Sequence, residues 1–294
     1  MKLGVGLPNY GRGKTFADIK RVALAAEELG FDSVWTTDHI IVPKADIEPY
    51  GNILESLTVL AMVAAVTTRV KLGTSILVLP QRNATLTAKQ VATIDAASGG
   101  RMIFGVGVGW NAGEYANLNA PFKTRGKRLD EDIELLRTLW SHEDVSFRGH
   151  FTNLEHAIFA PQPAQKNIPI WIGGNDEPAL HRVAKHGDGW HPTGISPEGL
   201  QTGVKHIREL NATKNIVVSA RLSTDLRADA SPTYQYRGNA RYRLAGNLST
   251  VRARLREYHK AGLEYPAVFF PMDDLALGLA QMETFAREVM PEFE

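Results

Sequence analysis

The sequence predicts an α/β fold, a (β/α)8 TIM barrel, and three observations lead to this expectation. Short apolar runs alternate with longer amphipathic segments along the whole chain, and eight apolar runs can be counted. Mostly apolar strands are typical of a parallel sheet that helices cover. The chain has 294 residues, 44% of them hydrophobic, and such barrels commonly take about 250 residues. We therefore expect a single domain over residues 1–294. A doubly wound open sheet, the alternative, usually has fewer strands.

Each element follows from its periodicity and its end signals. The first strand is an apolar run stopped by Pro8 and Asn9, and the first helix places apolar residues at helical spacing before Gly30. The predicted strands are 3–7, 33–36, 70–77, 101–105, 169–172, 187–190, 216–222 and 267–270. The predicted helices are 16–29, 55–67, 84–97, 128–140, 177–185, 196–210, 248–261 and 275–289.

Two segments interrupt this alternation. Residues 145–163, with Gly149 at a turn, predict a β-hairpin insertion after the fourth unit. Residues 228–244 are polar and irregular, which predicts a mobile loop segment over the C-terminal rim of the barrel.

Composition excludes several classes of function. The net charge of +1 gives no general attraction to nucleic acid or to an anionic membrane. The chain has no cysteine, which excludes disulfides, thiolate metal sites and a cysteine nucleophile. No apolar run approaches the roughly 18–20 residues that span a bilayer, and the N-terminus lacks the apolar stretch of a signal peptide. We expect a cytoplasmic protein. His181 and His186 are badly spaced for two ligands on one helix face, so no metal site is expected.

Glycine and polar residues collect where the strands end, which is where (β/α)8 barrels carry their active sites. The turn from Gly173 to Asp176 precedes a helix, so its backbone N–H groups could bind a phosphate; a plain tight turn explains it equally well. Gly105, Gly107 and Gly109 lack the dinucleotide spacing, and residues 110–113 are expected to continue as loop. These glycines instead allow a flat ligand to approach the backbone.

Asp38 and His39 are the best candidates for proton chemistry. Histidine donates or accepts a proton near neutral pH, and a neighbouring carboxylate can tune it. The alternative is a helix-capping Asp beside a partly buried His. The basic run 123–128 is a solvated helix start or a contact for an anionic ligand tail.

Taken together, these segments resemble the luciferase-like family of flavin- and deazaflavin-dependent oxidoreductases. The similarity covers nearly the whole chain, and in this order and spacing it is specific. It includes VGLP at 5–8, ELGFDSVW at 28–35, Asp38-His39, LGTSILVLP at 72–80, Asp95 with SGGR at 98–101, FGVGVGW at 104–110, IWIGG at 170–174 and GDGWHP at 187–192.

The resemblance implies a flavin-type ring in the barrel mouth and a non-proline cis peptide behind it, at Ser75-Ile76. It implies that Asp38 and His39 are the catalytic polar pair, with His39 as proton donor. The implied cofactor-binding residues are Pro8, Asn9, Thr74, Ser75, Ile76, Gly107, Val108, Gly173, Gly174, Asn175, Trp190 and His191.

The pattern is most similar to the branch that uses coenzyme F420. Luciferase-type FMN enzymes carry arginine where Val108 stands, and the sugar-phosphate dehydrogenases carry an acidic residue at Trp110. The resemblance therefore implies an F420-dependent oxidoreductase that transfers a hydride to or from a small organic substrate. The alternative is an FMN-dependent monooxygenase that uses oxygen and a partner reductase, and a third is a non-catalytic cofactor-binding subunit. Such barrels often form homodimers.

Overall fold

The computed structural model, which describes residues 1–293, contains a closed barrel of parallel strands. The strands are β1 Gly4–Gly6, β2 Ser33–Thr36, β3 Lys71–Thr74, β4 Leu77–Val78, β5 Met102–Gly107, β6 Asp144–Arg148, β7 Asn153–Ile158, β8 Ile170–Ile172, β9 Gly189–Trp190, β10 Val217–Asp225, β11 Thr233–Tyr236, β12 Asn239–Tyr242, β13 Leu244–Ala245 and β14 Tyr265–Phe269. Hydrogen bonds connect the barrel strands in the order β10-β14-β1-β2-β3-β5-β8-β9, and β9 pairs with β10 to close the ring. The short strand β4 follows β3 and, like β3, pairs with β5. The predicted (β/α)8 barrel is confirmed.

Helices surround the barrel, and most begin at a polar cap. At these caps, a side-chain oxygen accepts a hydrogen bond from a backbone N–H in the first turn of the helix that follows; examples are Asn83, Asp176, Ser196 and Asn247. The helices are α1 Phe16–Glu28, α2 Ile47–Tyr50, α3 Ser56–Ala64, α4 Ala84–Ala97, α5 Ala112–Asn117, α6 Arg125–Ser141, α7 Glu177–His186, α8 Pro197–Leu210, α9 Leu248–Lys260 and α10 Leu275–Glu288. Within residues 1–293, none of the helices combines the length and apolar character needed to cross a membrane.

The structure corrects two details of the predicted alternation. The third predicted strand is split, because a cis peptide bond between Ser75 and Ile76 separates β3 from β4. The segment after Trp110 does not continue as loop. Asn111 caps the short helix α5 by accepting the Glu114 N–H at 3.1 Å.

Both segments that interrupt the alternation are β-hairpins. Strands β6 and β7 pair antiparallel, which confirms the predicted insertion. The prediction of an irregular loop at 228–244 was wrong, because β11 and β12 form a second antiparallel hairpin there. Its two turn residues, Arg237 and Gly238, both have positive φ, as a tight two-residue hairpin turn requires.

Aromatic rings fill the barrel interior below its mouth. Trp35 on β2 stacks against Trp171 on β8 at 5.2 Å between ring centroids, and Tyr265 on β14 meets both rings edge-on. Gly4 and Gly73 make room for Trp35, since a Cβ at either position would lie 2.2 Å from the indole. This packing lies between the barrel mouth and a second cavity, of about 500 Å³, at the N-terminal ends of the strands.

Candidate functional site

A cavity of about 630 Å³ opens at the C-terminal ends of the barrel strands. Pro8, His39, Ile76, Gly174 and His191 come from five different strand ends, and all line it. The hairpin β11–β12 adds a further wall. The position agrees with the general location of active sites in (β/α)8 barrels.

The structure brings eight of the predicted site residues to the cavity wall. They are Pro8, Asp38, His39, Ser75, Ile76, Gly173, Gly174 and His191. The cavity lining does not include the other six, which are Asn9, Thr74, Gly107, Val108, Asn175 and Trp190.

Residues behind the wall hold the loops that form it. The buried Asn9 side chain donates to the Thr37 and Leu54 carbonyls and accepts the Thr37 N–H at 2.9 Å. The Thr74 hydroxyl donates to the Gly105 carbonyl at 2.7 Å. These contacts fix the end of β1 to the end of β2, and the end of β3 to β5.

Three glycines near the cavity leave space for neighbouring side chains. A Cβ at Gly107 would lie 2.0 Å from Ile76 Cδ1, and one at Gly173 would lie 2.8 Å from Ile76 Cγ2. Gly174 has φ +123° and would bring a Cβ within 2.7 Å of Ala179. Side chains are therefore excluded at these three positions, and at Gly173 and Gly174 the backbone itself forms part of the cavity wall.

The turn at Gly173 to Asp176 is held rigidly by its neighbours. The Asn175 side chain donates to the Thr193 carbonyl at 2.9 Å, and the Trp190 indole N–H donates to the Gly174 carbonyl at 2.8 Å. Asp176 caps α7 by accepting the Ala179 N–H. Within residues 1–293, the N–H groups of Gly174 and Asn175 have no acceptor. They lie beside the positive end of α7, which is a favourable place for an anion.

His39 is held by a carboxylate that the sequence analysis did not single out. Its Nδ1 lies 2.8 Å from Oε2 of Glu114, and both side chains are buried. The other oxygen of Glu114 accepts the Ile40 N–H at 2.6 Å. Burial favours a higher pKa for Glu114, but the hydrogen bonds from His39 and Ile40 hold that pKa below its usual value. The ionised carboxylate thus accepts Nδ1–H, which leaves Nε2 of His39 without a protein partner in the described part of the chain.

Asp38, by contrast, does not contact the His39 ring. Its carboxylate accepts hydrogen bonds from both terminal nitrogens of Arg82, at 2.7 and 2.9 Å, and from the Val78 N–H. Complete burial raises the pKa of Asp38, and the Arg82 guanidinium opposes that rise. The expectation that Asp38 tunes His39 is therefore not met by these contacts, which make Asp38 part of a buried ion pair.

His191 lies at the floor of the cavity in a chain of hydrogen bonds. The Ser219 hydroxyl donates to the Tyr265 carbonyl at 2.6 Å, so it accepts from Nδ1 of His191 at 2.7 Å. Nε2 of His191 then accepts from the Ser75 hydroxyl at 2.8 Å. Burial, with Arg221 nearby, lowers the pKa of His191 to about 3. This imidazole is therefore neutral at physiological pH and fixes Ser75 without exchanging a proton.

Arg221, also missed by the sequence analysis, places a positive charge in the cavity wall. It donates to the Thr37 hydroxyl at 2.8 Å and to the Ser75 carbonyl at 3.0 Å, and it packs 3.9 Å over the Phe269 ring. An arginine inside a predicted barrel strand, 216–222, was the signal in the sequence. For Glu114, the signal was its position three residues after the capping Asn111.

The hairpin β11–β12 covers one side of the mouth with aromatic and basic side chains. Tyr234, Tyr236 and Arg241 line the cavity. At the hairpin tip, the Arg237 guanidinium lies 3.8 Å over the Trp110 ring and 2.9 Å from a carboxylate oxygen of Asp46. This contact, the Arg237 latch, joins the hairpin to the loops that follow β2 and β5. The basic run 123–128 does not line the cavity.

Comparison with known proteins agrees with this architecture. The sequence model of the luciferase-like monooxygenase family matches residues 1–260. An uncharacterized protein of Mycobacterium tuberculosis is 34% identical over 202 residues, which cover 64% of this chain and 69% of that protein. An F420-dependent glucose-6-phosphate dehydrogenase of Amycolatopsis mediterranei is 34% identical over 177 residues. That match covers 59% of this chain and about half of the dehydrogenase, 52%.

Solved structures with the same fold span the whole chain. The monooxygenase RslO1 from Streptomyces bottropensis superposes with a TM-score of 0.84 at 22% identity, covering 100% of both chains. An F420-dependent secondary alcohol dehydrogenase superposes with a TM-score of 0.82 at 18% identity, covering 100% of this chain and 99% of that one. At these identities the likeness concerns the fold. Because the family model matches most of the sequence, this chain belongs to the luciferase-like monooxygenase family and is an oxidoreductase.

Proposed function

We propose that this protein is an F420-dependent oxidoreductase that transfers a hydride between the deazaflavin and a small organic substrate, with His39 as the proton donor or acceptor. The observation that carries this proposal is the buried His39–Glu114 pair. Glu114 accepts Nδ1–H, so the free Nε2 of His39 belongs to a side chain that lines the cavity.

The cavity wall fits a planar cofactor with a phosphate. Gly107 and Gly173 leave space for the Ile76 side chain, which lines the cavity and offers an apolar surface to a flat ring. The N–H groups of Gly174 and Asn175, which have no acceptor within residues 1–293, suit a phosphate at the N-terminal end of α7. Arg221 and Arg241 add positive charge to the same wall.

Within this arrangement, the residues of the chain bind, orient and move a proton. A bound deazaflavin supplies the two-electron hydride chemistry. Glu114 holds the His39 ring in one tautomer and orientation, as a carboxylate does for a catalytic imidazole in other enzymes. Nε2 accepts a proton from the substrate when the substrate loses a hydride, and returns it in the reverse direction.

Two observations favour F420 over FMN. Val108 stands where luciferase-type FMN enzymes carry an arginine. Relatives at 34% and 36% identity are named F420-dependent glucose-6-phosphate dehydrogenases. Glucose 6-phosphate itself is not the proposed substrate, because Trp110 replaces the acidic residue of those enzymes. The aromatic wall of Trp110, Tyr234 and Tyr236 favours a flat or apolar substrate.

The experiment that tests the cofactor is an absorbance titration of the cofactor-free protein with F420 and, separately, with FMN. We expect saturable binding of F420 and weaker or absent binding of FMN. The Gly174→Ala variant, which disturbs the proposed phosphate turn, should bind F420 more weakly than the unmodified protein does. Tight binding of FMN alone would move the assignment to an oxygen-consuming monooxygenase with a partner reductase, and binding of neither would contradict the proposal.

A further inference from the structure

Two helices on the outside of the barrel bring two histidines and a glutamate together. Glu177 lies in the first turn of α7, His181 lies one turn further along the same helix, and His206 lies on α8. One ligand atom from each residue lies within 4.8 Å of the other two. This cluster is separate from the cavity, because none of its residues lines the cavity wall.

Both imidazoles point at the same carboxylate oxygen. Oε1 of Glu177 lies 3.0 Å from Nε2 of His181 and 2.8 Å from Nε2 of His206. Three ligand atoms therefore converge on one point, with an anion among them.

Metal binding requires each imidazole to present the lone pair of Nε2 to that point. A ring whose Nε2 binds a metal carries its proton on Nδ1. Oε2 of Glu209 lies 3.7 Å from Nδ1 of His206, so a carboxylate stands near the position of that N–H. Carboxylates commonly orient metal-binding histidines in this way.

We propose that Glu177, His181 and His206 form a binding site for a divalent transition metal, with Zn²⁺ as the preferred ion. Two imidazole nitrogens and one carboxylate oxygen suit Zn²⁺ and neighbouring transition metals, whereas Mg²⁺ and Ca²⁺ prefer oxygen ligands. Water completes the coordination, because the side chains of Glu177 and His181 are more than half exposed. The ion connects α7 to α8 beside the turn at Gly173 to Asp176. The spacing of His181 and His186 could not predict this site, since its second histidine comes from another helix.

The test uses Co²⁺ as a spectroscopic probe and Zn²⁺ as the competitor. Titration of the full chain with Co²⁺ should give visible absorption bands at one equivalent, and Zn²⁺ should abolish them. Zn²⁺ should also raise the midpoint of thermal unfolding in a concentration-dependent way. His181→Ala and His206→Ala should each weaken Co²⁺ binding about tenfold or more.

The matched control is His156→Ala, which removes an exposed histidine that lies 3.7 Å from Asp144 on β6. This variant should bind Co²⁺ as the unmodified protein does. Equal Co²⁺ binding and equal Zn²⁺ stabilisation in the unmodified protein and in the double variant His181→Ala/His206→Ala would overturn the proposal. So would the absence of any Co²⁺ band in the unmodified protein.

Discussion

His39 and Gly174 represent two different ways in which single residues shape the candidate site. The proposed role of His39 depends on charge and on the orientation of its ring, which Glu114 fixes from 75 positions away in the sequence. Gly174 depends on backbone conformation and space, because its φ of +123° and the nearby Ala179 leave no room for a side chain. Substitutions at the two positions should therefore affect different steps, which makes them separable by experiment.

We expect His39→Ala to lower turnover about 100-fold or more, which is the usual contribution of a general acid or base. The Kd for the cofactor should change little, because the proposed role is in proton transfer. Glu114→Gln keeps the size of the side chain but removes its charge, so it should lower kcat less than His39→Ala does. Steady-state kinetics over a range of pH, with a cofactor titration of each variant, measure both effects. Unchanged turnover in folded His39→Ala would remove His39 from the mechanism.

We expect Gly174→Ala to weaken cofactor binding about tenfold or more, while kcat at saturating cofactor changes less. An added Cβ would lie 2.7 Å from the Ala179 Cβ, in a backbone conformation that favours glycine. The turn must shift, and the N–H groups of Gly174 and Asn175 move with it. A cofactor titration measures the effect, and Gly13→Ala is a control, since a Cβ there meets nothing within 4 Å. Normal cofactor affinity in Gly174→Ala would contradict the phosphate-turn assignment.

At the scale of elements, the hairpin β11–β12 is the part of the site that can control access. It is joined to the opposite side of the mouth by the Arg237 latch, through Asp46 and Trp110. Both members of the ion pair are partly exposed, with 48% and 26% of their side chains accessible. Exposed ion pairs contribute about 0.2–1 kcal/mol, and a cation–π contact adds about 0.5–1 kcal/mol. The latch is therefore weak enough to open often.

We expect Arg237→Ala to raise the KM for substrate about three- to tenfold, as the loss of about 1 kcal/mol implies. Amide hydrogen exchange in the hairpin should become faster in the same variant. Arg254→Ala is the matched control, because it removes another partly exposed ion pair, with Glu257 at 2.9 Å on α9. Equal KM and equal hairpin exchange in Arg237→Ala and the unmodified protein would show that the latch does not control access.

At the scale of the whole molecule, two carboxyl groups outside the site give the fold opposite dependences on pH. Glu27 accepts the backbone N–H groups of Thr68, Arg69 and Val70. Burial opposes ionisation of Glu27, but these hydrogen bonds lower its pKa from 4.5 to about 2. Asp132 is buried on α6, and its carboxyl group has no hydrogen bond within residues 1–293. Burial raises its pKa from 3.8 to about 7.

The signs of the two effects follow from proton linkage. The stabilising effect of Glu27 is complete above about pH 4.5 and is lost as the pH falls toward 2. We therefore expect Glu27→Gln to cost about 1–2 kcal/mol at pH 7, a value reduced for partial exposure, and almost nothing at pH 2. Urea unfolding at several pH values measures the difference.

Asp132 provides the matched comparison with the opposite sign. Its protonated form fits the folded state, so stability is lost as the pH rises from 3.8 to about 7. Asp132→Asn should stabilise the fold by about 1–2 kcal/mol at pH 8 and have little effect below pH 4. If the two variants respond to pH in the same direction, these assignments are wrong.

The sequence predicted the barrel because its signals are local. Apolar periodicity marks each strand and helix, and α4 begins and ends where it was expected. The hairpin β11–β12 was missed because its strands have only four residues each and are largely exposed, although polar and aromatic residues alternate in Thr233–Tyr236. Contacts between distant residues carry no local signal. The pairing of His39 with Glu114 and of His181 with His206 therefore needed the structure. That one domain accounts for the whole chain stays a prediction.

The aromatic packing under the cavity has a practical consequence. Four of the five tryptophans surround the candidate site: Trp35 and Trp171 stack below it, Trp110 holds the Arg237 latch, and Trp190 holds the Gly174 carbonyl. The His191 ring, which lines the cavity floor, lies 5.0 Å from Trp35 and nearly parallel to it. A flavin-type ring bound above His191 would accept excitation energy from these indoles. The intrinsic fluorescence of the protein is therefore a built-in reporter of occupancy, and Trp110→Phe would separate the signal of the rim from that of the barrel interior.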